Sequence, residues 1–197
     1  MIDTFETDTL ASYFVNEGAI RSQIKPRGGL WGIALDNSKG RDKWGSSKLG
    51  SLFPFADPFE ASVWLYYLPG TKGRQGIGVK QCFGGREHQF AVQLMTGSGD
   101  LGQIRAKNYF GRYVDLSGTF KVAAGWHRVL VRAEGFRYGS IAFDTQTWTP
   151  DKLMGYPTIA CSYGRIQTAA GFNFDSHYGR LFYRGPHVGY FDDFSVG

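Results

Sequence analysis

The sequence predicts an all-β protein whose antiparallel strands stack as a sandwich or close as a barrel. Three observations carry this. Apolar residues recur at every second position in several short runs, the period of a half-buried strand. Turn signals separate the runs, and no helical stretch intervenes, so consecutive strands pair antiparallel. The composition also suits strands joined by turns, with 28 Gly, 16 Phe, 11 Tyr and 5 Trp in 197 residues.

The elements follow in order. Phe59, Ala61, Val63 and Leu65 alternate with Glu60, Ser62, Trp64 and Tyr66. Phe90, Val92 and Leu94 alternate with Ala91 and Gln93, and Ile104 and Ala106 with Gln103, Arg105 and Lys107. Val129 and Val131 alternate with Arg128, Leu130 and Arg132. Ile141 and Phe143, Phe172 and Phe174, and Leu181 and Tyr183 continue the pattern. In each run one set faces a core and the other an outer surface. Pro69-Gly70, Gly84-Gly85, Gly97-Ser98-Gly99, Gly125, Gly135, Gly179 and Gly185-Pro186 mark the turns. One helical turn is expected over Thr149–Gly155, with Thr149 as cap and Pro150 at the first helical position. The stretch Asp36 to Pro58, rich in Gly, Ser and Lys, reads as a long loop, either functional or a plain surface connector.

The chain is long enough for one domain with a real core, here residues 1–197. Its net charge of +5 permits attraction to polyanions, although a mildly basic soluble protein has the same charge. Cys82 and Cys161 are too few for a disulfide framework and read as buried thiols or one cross-strand bridge. No apolar run reaches membrane-spanning length, so no membrane insertion is expected.

Three short motifs carry a family resemblance. Gly125-Trp126-His127-Arg128 opens an alternating strand, Tyr190-Phe191-Asp192-Asp193-Phe194-Ser195-Val196 closes the chain, and Asp3-Thr4-Phe5-Glu6-Thr7-Asp8 stands near its start. Together they resemble the concanavalin A-like or laminin-G-like jelly-roll sandwiches. The resemblance spans nearly the whole chain and implies an antiparallel jelly-roll β-sandwich. It also implies a structural Ca²⁺ shared between the first and last strands, with Asp3, Glu6, Asp192 and Asp193 as ligands by type and place. The alternative is that Asp192 or Asp193 caps a turn or pairs with an arginine.

The enzymes of such folds need motifs that this chain matches poorly. Glucanases of this type place three carboxylates on one strand, and here Glu6-x-Asp8 lacks the last one. Gln23-Ile24-Lys25 and Tyr109-Phe110-Gly111 imitate the jelly-roll lyase motifs only loosely. Nucleophile elbows and phosphate loops are absent, and His88, His127, His177 and His187 lack metal-ligand spacing.

A binding surface is the remaining candidate. Opposite the core-facing positions stand Trp64, Tyr66, Lys80, Gln93, Arg105, Lys107, Arg128 and Arg132. If their strands are neighbours in one sheet, they form an aromatic and cationic surface that stacks on sugars and grips carboxylates. On the other reading Trp64 and Tyr66 belong to the core of a second layer and the cations are solvated. Nucleic acid is disfavoured, because the basic residues are dispersed and no recognition motif is present.

The expected function is therefore non-catalytic recognition or assembly. The resemblance implies display outside cells, yet the chain begins with Met1 and shows no export signal. That combination points to a phage virion accessory protein, a capsid decoration, fibre or tail-associated protein on the virion surface. Its partners would be a glycan, other virion subunits or further copies of itself. A carbohydrate-binding module of a secreted protein is the alternative, and a polysaccharide hydrolase or lyase comes third.

Overall fold

The computed structural model describes residues 2–7, 15–17, 19–36, 46–54, 58–83, 86–150, 153–157, 165–167, 173–184 and 187–197. In chain order the strands are β1 (Ile2–Asp3), β2 (Val15–Glu17), β3 (Ala19–Ser22), β4 (Gly32–Asp36), β5 (Ser46–Pro54) and β6 (Phe59–Tyr67). Then come β7 (Gly73–Phe83), β8 (Arg86–Thr96), β9 (Leu101–Lys107), β10 (Tyr113–Asp115), β11 (Phe120–Lys121) and β12 (Gly125–Glu134). The last are β13 (Arg137–Phe143), β14 (Gln146–Trp148), β15 (Tyr156–Pro157), β16 (Arg165–Gln167), β17 (Asn173–Arg184) and β18 (Val188–Val196).

These strands form two antiparallel sheets. The first runs β14-β13-β12-β6-β18-β4-β3, with β1 added on β18. The second runs β10-β9-β8-β7-β17-β5-β2, with β11, β15 and β16 added on β9, β8 and β17. The all-β sandwich expected from the alternation is the fold. Val63, Leu65, Val129, Val131, Ile141 and Phe191 of the first sheet are buried, as are Ile77, Val79, Phe90, Val92, Leu94, Ile104 and Leu181 of the second. They belong to one core cluster. Burying each such side chain contributes about 1.5–3 kcal/mol.

Two tyrosines tie the molecule together. Tyr138 of β13 crosses the core, edge-on to Phe90 with ring centres 5.0 Å apart. Its hydroxyl accepts from the Ala91 amide at 2.9 Å and donates to the Lys107 carbonyl at 2.8 Å. The last β8–β9 pair is Val92 with Ala106, so this hydroxyl sits where the two strands part. Burial pushes the phenol well above its usual range.

Tyr67, at the end of β6, donates to Asp100 Oδ1 at 2.7 Å, and the Gly70 amide donates to the same oxygen at 2.7 Å. The Gly70 amide and then the Tyr67 hydroxyl hold the Asp100 carboxyl below its usual range. Burial and the same hydrogen bond push the Tyr67 phenol up to about 12. A carboxyl depressed in the folded state adds stability above its unfolded pKa of about 3.9, and that stability is lost as pH falls through the folded value. Asp100 stands at φ 60°, a conformation that asparagine also tolerates. Asp100→Asn is therefore expected to fold and to lose less thermal stability on acidification than the parent. Melting curves across the acid range check this, and parallel curves for the two proteins would contradict it.

One expectation changes. Within the stretch Asp36 to Pro58, residues Ser46–Pro54 form β5, paired with β17 on one side and β2 on the other. Its Gly- and Ser-rich sequence has no alternation to announce a strand, and the two neighbouring ladders impose the conformation. Residues 37–45 and 55–57 lie outside the described residues. The expected helical turn over Thr149–Gly155 is described only at its two ends. Leu153 N donates to Pro150 O at 2.8 Å, and Met154 then bridges to Arg137 as extended chain. Asp151 and Lys152 lie outside the described residues, as do Phe172 and Cys161.

Candidate functional site

The eight residues expected on one surface divide between the two sheets. Trp64 and Tyr66 lie in β6 and Arg128 and Arg132 in β12, adjacent strands of the first sheet. Lys80, Gln93, Arg105 and Lys107 lie in β7, β8 and β9 of the second. Since the inner faces of the sheets meet in the core, the two sets of outward positions stand on opposite sides of the sandwich.

On the first sheet the aromatic rings are already covered. The segment between β3 and β4 crosses the outer face and lays its cations on them. Arg27 stands 3.8 Å above the Trp64 ring, Lys25 5.0 Å from Tyr66, and Arg21 of β3 4.3 Å from Trp31. Trp126 meets Tyr66 edge-on at 5.4 Å. Trp64 and Tyr66 thus belong to a covered layer outside the sheet.

The carboxylates named as metal ligands fasten this strap. Asp192 accepts from the Arg27 amide at 2.9 Å through Oδ2 and from the Asp193 amide at 2.9 Å through Oδ1. The Asp193 side chain forms an ion pair with the Arg27 guanidinium. Glu6 accepts from the amides of Leu30 and Trp31, each at 3.1 Å through Oε1. Asp3 pairs in register with Phe194, and its side chain is outside the description. No group of three or more His, Cys, Asp or Glu suited to a metal occurs among the described residues. The Arg27 guanidinium and the backbone amides engage the carboxylates of Glu6, Asp192 and Asp193.

Burial raises the Asp192 pKa, against the Arg27 and Asp193 amides that lower it. Its contribution to stability is therefore fully present below the unfolded carboxyl pKa and lost as pH rises. Arg27→Ala removes a stacked cation and an ion pair at once. It is expected to cost about 1–2 kcal/mol. Excess EDTA is expected to leave the melting temperature unchanged. A fall on adding EDTA would restore the metal reading.

The outer face of the second sheet is different in character. Lys107 Nζ donates to Gln89 Oε1 at 2.9 Å and lies 4.8 Å from the Tyr156 ring centre. Arg105 pairs with Asp115 at 2.6 Å and donates to the Tyr113 carbonyl at 3.0 Å. Gln93, buried between them and β7, stands opposite Gly76 and Arg105 in register. Its Nε2 has no hydrogen-bond partner among the described residues. Gly76 is required there, because a Cβ would come within 2.1 Å of the Val92 carbonyl oxygen. Lys80 lies opposite Gln89 and Tyr178 in register, and its side chain is outside the description.

A cleft of about 450 Å³ opens at the other end of these strands. Lys72, Arg74 and Gln103 line it, together with the hydroxyl residues Thr96, Ser98 and Thr119. No carboxylate lines it among the described residues. Lys72, Arg74, Gln89 and Tyr156 were not singled out from the sequence. Arg74 could have been found, since it stands an even number of residues before Lys80 on one strand. Tyr156 could not, because it reaches the sheet from a two-residue strand.

A smaller cavity of about 200 Å³ holds His127 and Asp144. His127 Nδ1 lies 2.7 Å from Asp144 Oδ2 and Nε2 lies 2.8 Å from the Ala123 carbonyl. The ring stacks on Phe143 at 5.1 Å. With both nitrogens engaged, this histidine locks a turn and offers no base.

No family model matches the chain, and no curated protein matches it. Solved structures do. An alginate lyase from Alteromonas sp. 272 aligns with TM-score 0.54 at 8% identity, over 96% of this chain and 95% of that one. An endo-β-1,4-glucuronan lyase from the fungus Trichoderma reesei aligns with TM-score 0.54 at 10% identity, over 100% and 94%. A Bacillus subtilis protein of unknown function with a galectin-like fold aligns with TM-score 0.54 at 8% identity, over 100% and 94%. At these identities the likeness establishes the fold alone, an antiparallel jelly-roll β-sandwich.

The comparisons also correct the functional expectation. A non-catalytic virion accessory protein was expected because glucanase and lyase motifs are missing. The fold over its full length is one that polysaccharide-cleaving enzymes share, and this runs against the non-enzymatic virion reading. The expectation failed because it demanded one carboxylate spacing on one strand. A sheet assembles its chemistry across neighbouring strands, from residues far apart in sequence.

Proposed function

We propose that this protein binds an acidic polysaccharide on the outer face of its second sheet and cleaves it by β-elimination. The observation that carries the reading is the cleft lined by Lys72, Arg74 and Gln103, with no carboxylate among its described lining residues. Two cations, an amide and hydroxyls set among apolar residues such as Met95 and Leu101 suit a polyanionic sugar chain, whose carboxylates meet the charges while its C–H faces meet the apolar lining. The alginate and glucuronan lyases that share the fold act on uronate polymers by their names, which supports the same ligand class.

Elimination is favoured over hydrolysis by the side chains present. Glycoside hydrolysis needs two carboxyl groups flanking the bond. On this face the carboxylate among the described side chains is Asp115, engaged by Arg105. Elimination instead transfers the proton on the carbon beside the uronate carboxyl to a water at the open cleft. The glycosidic C–O bond breaks, a C=C bond forms, and the departing oxygen takes a proton back from solvent. The barrier lies in the charge that builds on the carboxyl. Cations and amide donors aimed at that group lower it, and Arg74, Lys72 and Gln103 supply both.

The test is incubation with alginate, glucuronan and other polyuronates while following reducing ends and the ultraviolet absorbance of unsaturated uronate together. Both signals rising in step are expected. Reducing ends without the absorbance would make the protein a hydrolase, and neither signal on any acidic polymer would overturn the reading.

A further inference from the structure

We propose that the turn from Asn108 to Gly111 is a sugar-stacking subsite at the far end of the same face, so that the protein grips an extended polysaccharide rather than a short oligosaccharide. This rests on the reading of the second sheet as the polysaccharide site.

The turn presents two aromatic rings to solvent. Tyr109 is 46% exposed and Phe110 76%, the highest value among the described exposed large hydrophobics. The rings meet edge-on at 5.5 Å and 89°. Such exposure in a floppy loop would mean little, but this turn is held rigid. Asn108 Oδ1 accepts from the amides of Phe110 and Arg112, each at 3.0 Å. Asn108 N donates to Arg112 O at 2.8 Å, and Gly111 N to Asn108 O at 2.9 Å. Gly111 adopts φ 74°, and a Cβ there would sit 3.1 Å from the Tyr156 ring. Rings fixed before binding lose little entropy when a ligand arrives.

The neighbours identify the ligand. Lys107 immediately precedes the turn, with its ammonium against Gln89 and Tyr156. An aromatic face beside a cation matches a uronate sugar, whose apolar C–H face stacks while its carboxylate meets the ammonium. From Gln103 in the basic cleft to Asn108 the strand advances roughly 17 Å. Only an extended chain reaches both. A second protein copy or a lipid surface would use the rings but has no need of the Lys107 ammonium and the Gln89 amide beside the turn, or of the cations of the cleft at the other end.

The experiment is native-gel retardation of Phe110→Ala and Tyr109→Ala in alginate and in glucuronan, with turnover of short oligouronates measured alongside. Each variant is expected to bind the polymer roughly tenfold more weakly, to keep its melting temperature, and to process short oligouronates as the parent does. Parent-like retardation of both variants would overturn the subsite while leaving the proposed function standing. A parent protein that no acidic polymer retards would overturn both. If the parent self-associates with rising concentration and Phe110→Ala abolishes this, the rings are a contact between copies and the subsite is wrong.

Discussion

Arg74→Ala is expected to lower kcat/KM on an acidic polysaccharide by roughly thirtyfold, a loss of about 2 kcal/mol. Arg74 lies in β7 opposite Met95 on one side and Arg184 on the other. It lines the cleft with Lys72 and Gln103. The side chain is half-exposed, so the effect falls at the low end for a charge that grips a carboxylate. Arg74→Lys keeps the charge and loses the planar fork, and should fall between parent and alanine variant. Raising the salt should weaken the parent more than the alanine variant, because less attraction remains to be screened. Measured kinetics on polymer at two ionic strengths check both points. Parent-like activity in Arg74→Ala would move the site off this cleft.

Tyr138→Phe is expected to cost about 2–4 kcal/mol, although it removes a single oxygen atom. The hydroxyl accepts from the Ala91 amide and donates to the Lys107 carbonyl, in the core where water does not reach. Phenylalanine leaves both backbone groups without this partner, at about 1–3 kcal/mol each. For a protein of this size each kcal/mol lowers the melting temperature by about 2–4 °C. The damage should not stop at stability. Lys107 ends β9 and leads into the turn carrying Tyr109 and Phe110, so binding of long polymer should weaken as well. Thermal melting and polymer retardation measure the two effects. A variant with unchanged melting would show that the hydroxyl is dispensable where the strands part.

The strap illustrates how a correct local reading can be overtaken. Asp192 and Asp193 stand out in the sequence as candidate metal ligands, and the pair ties the last strand to an early segment. The cation it holds is Arg27, which comes from the segment after β3 and not from solvent. Arg27 and Asp193 are separated by 166 positions, and nothing local to either one announces the other. Trp64 was likewise placed on an outer position, as the alternation required. Whether an outer ring is bare or covered depends on what crosses over it, and here a guanidinium does.

The sequence by itself determined the fold class and, within the strands whose residues alternate, which side chains face inward. In β9 the buried positions are Gly102, Ile104 and Ala106, and the side chains between them are the polar and charged ones, because a strand's side chains alternate with period two. Alternation acts along one strand and carries no information about which strand lies alongside. Only the tertiary structure decided that β6 and β12 share one sheet while β7, β8 and β9 share the other. That choice split the expected surface in two. It also made a strand of Ser46–Pro54, whose own sequence has no strand pattern, by setting it between β17 and β2. The physical reason is the same in both cases. A strand's backbone hydrogen bonds are satisfied by its neighbours, so partnership is settled by the whole chain at once rather than by any one segment.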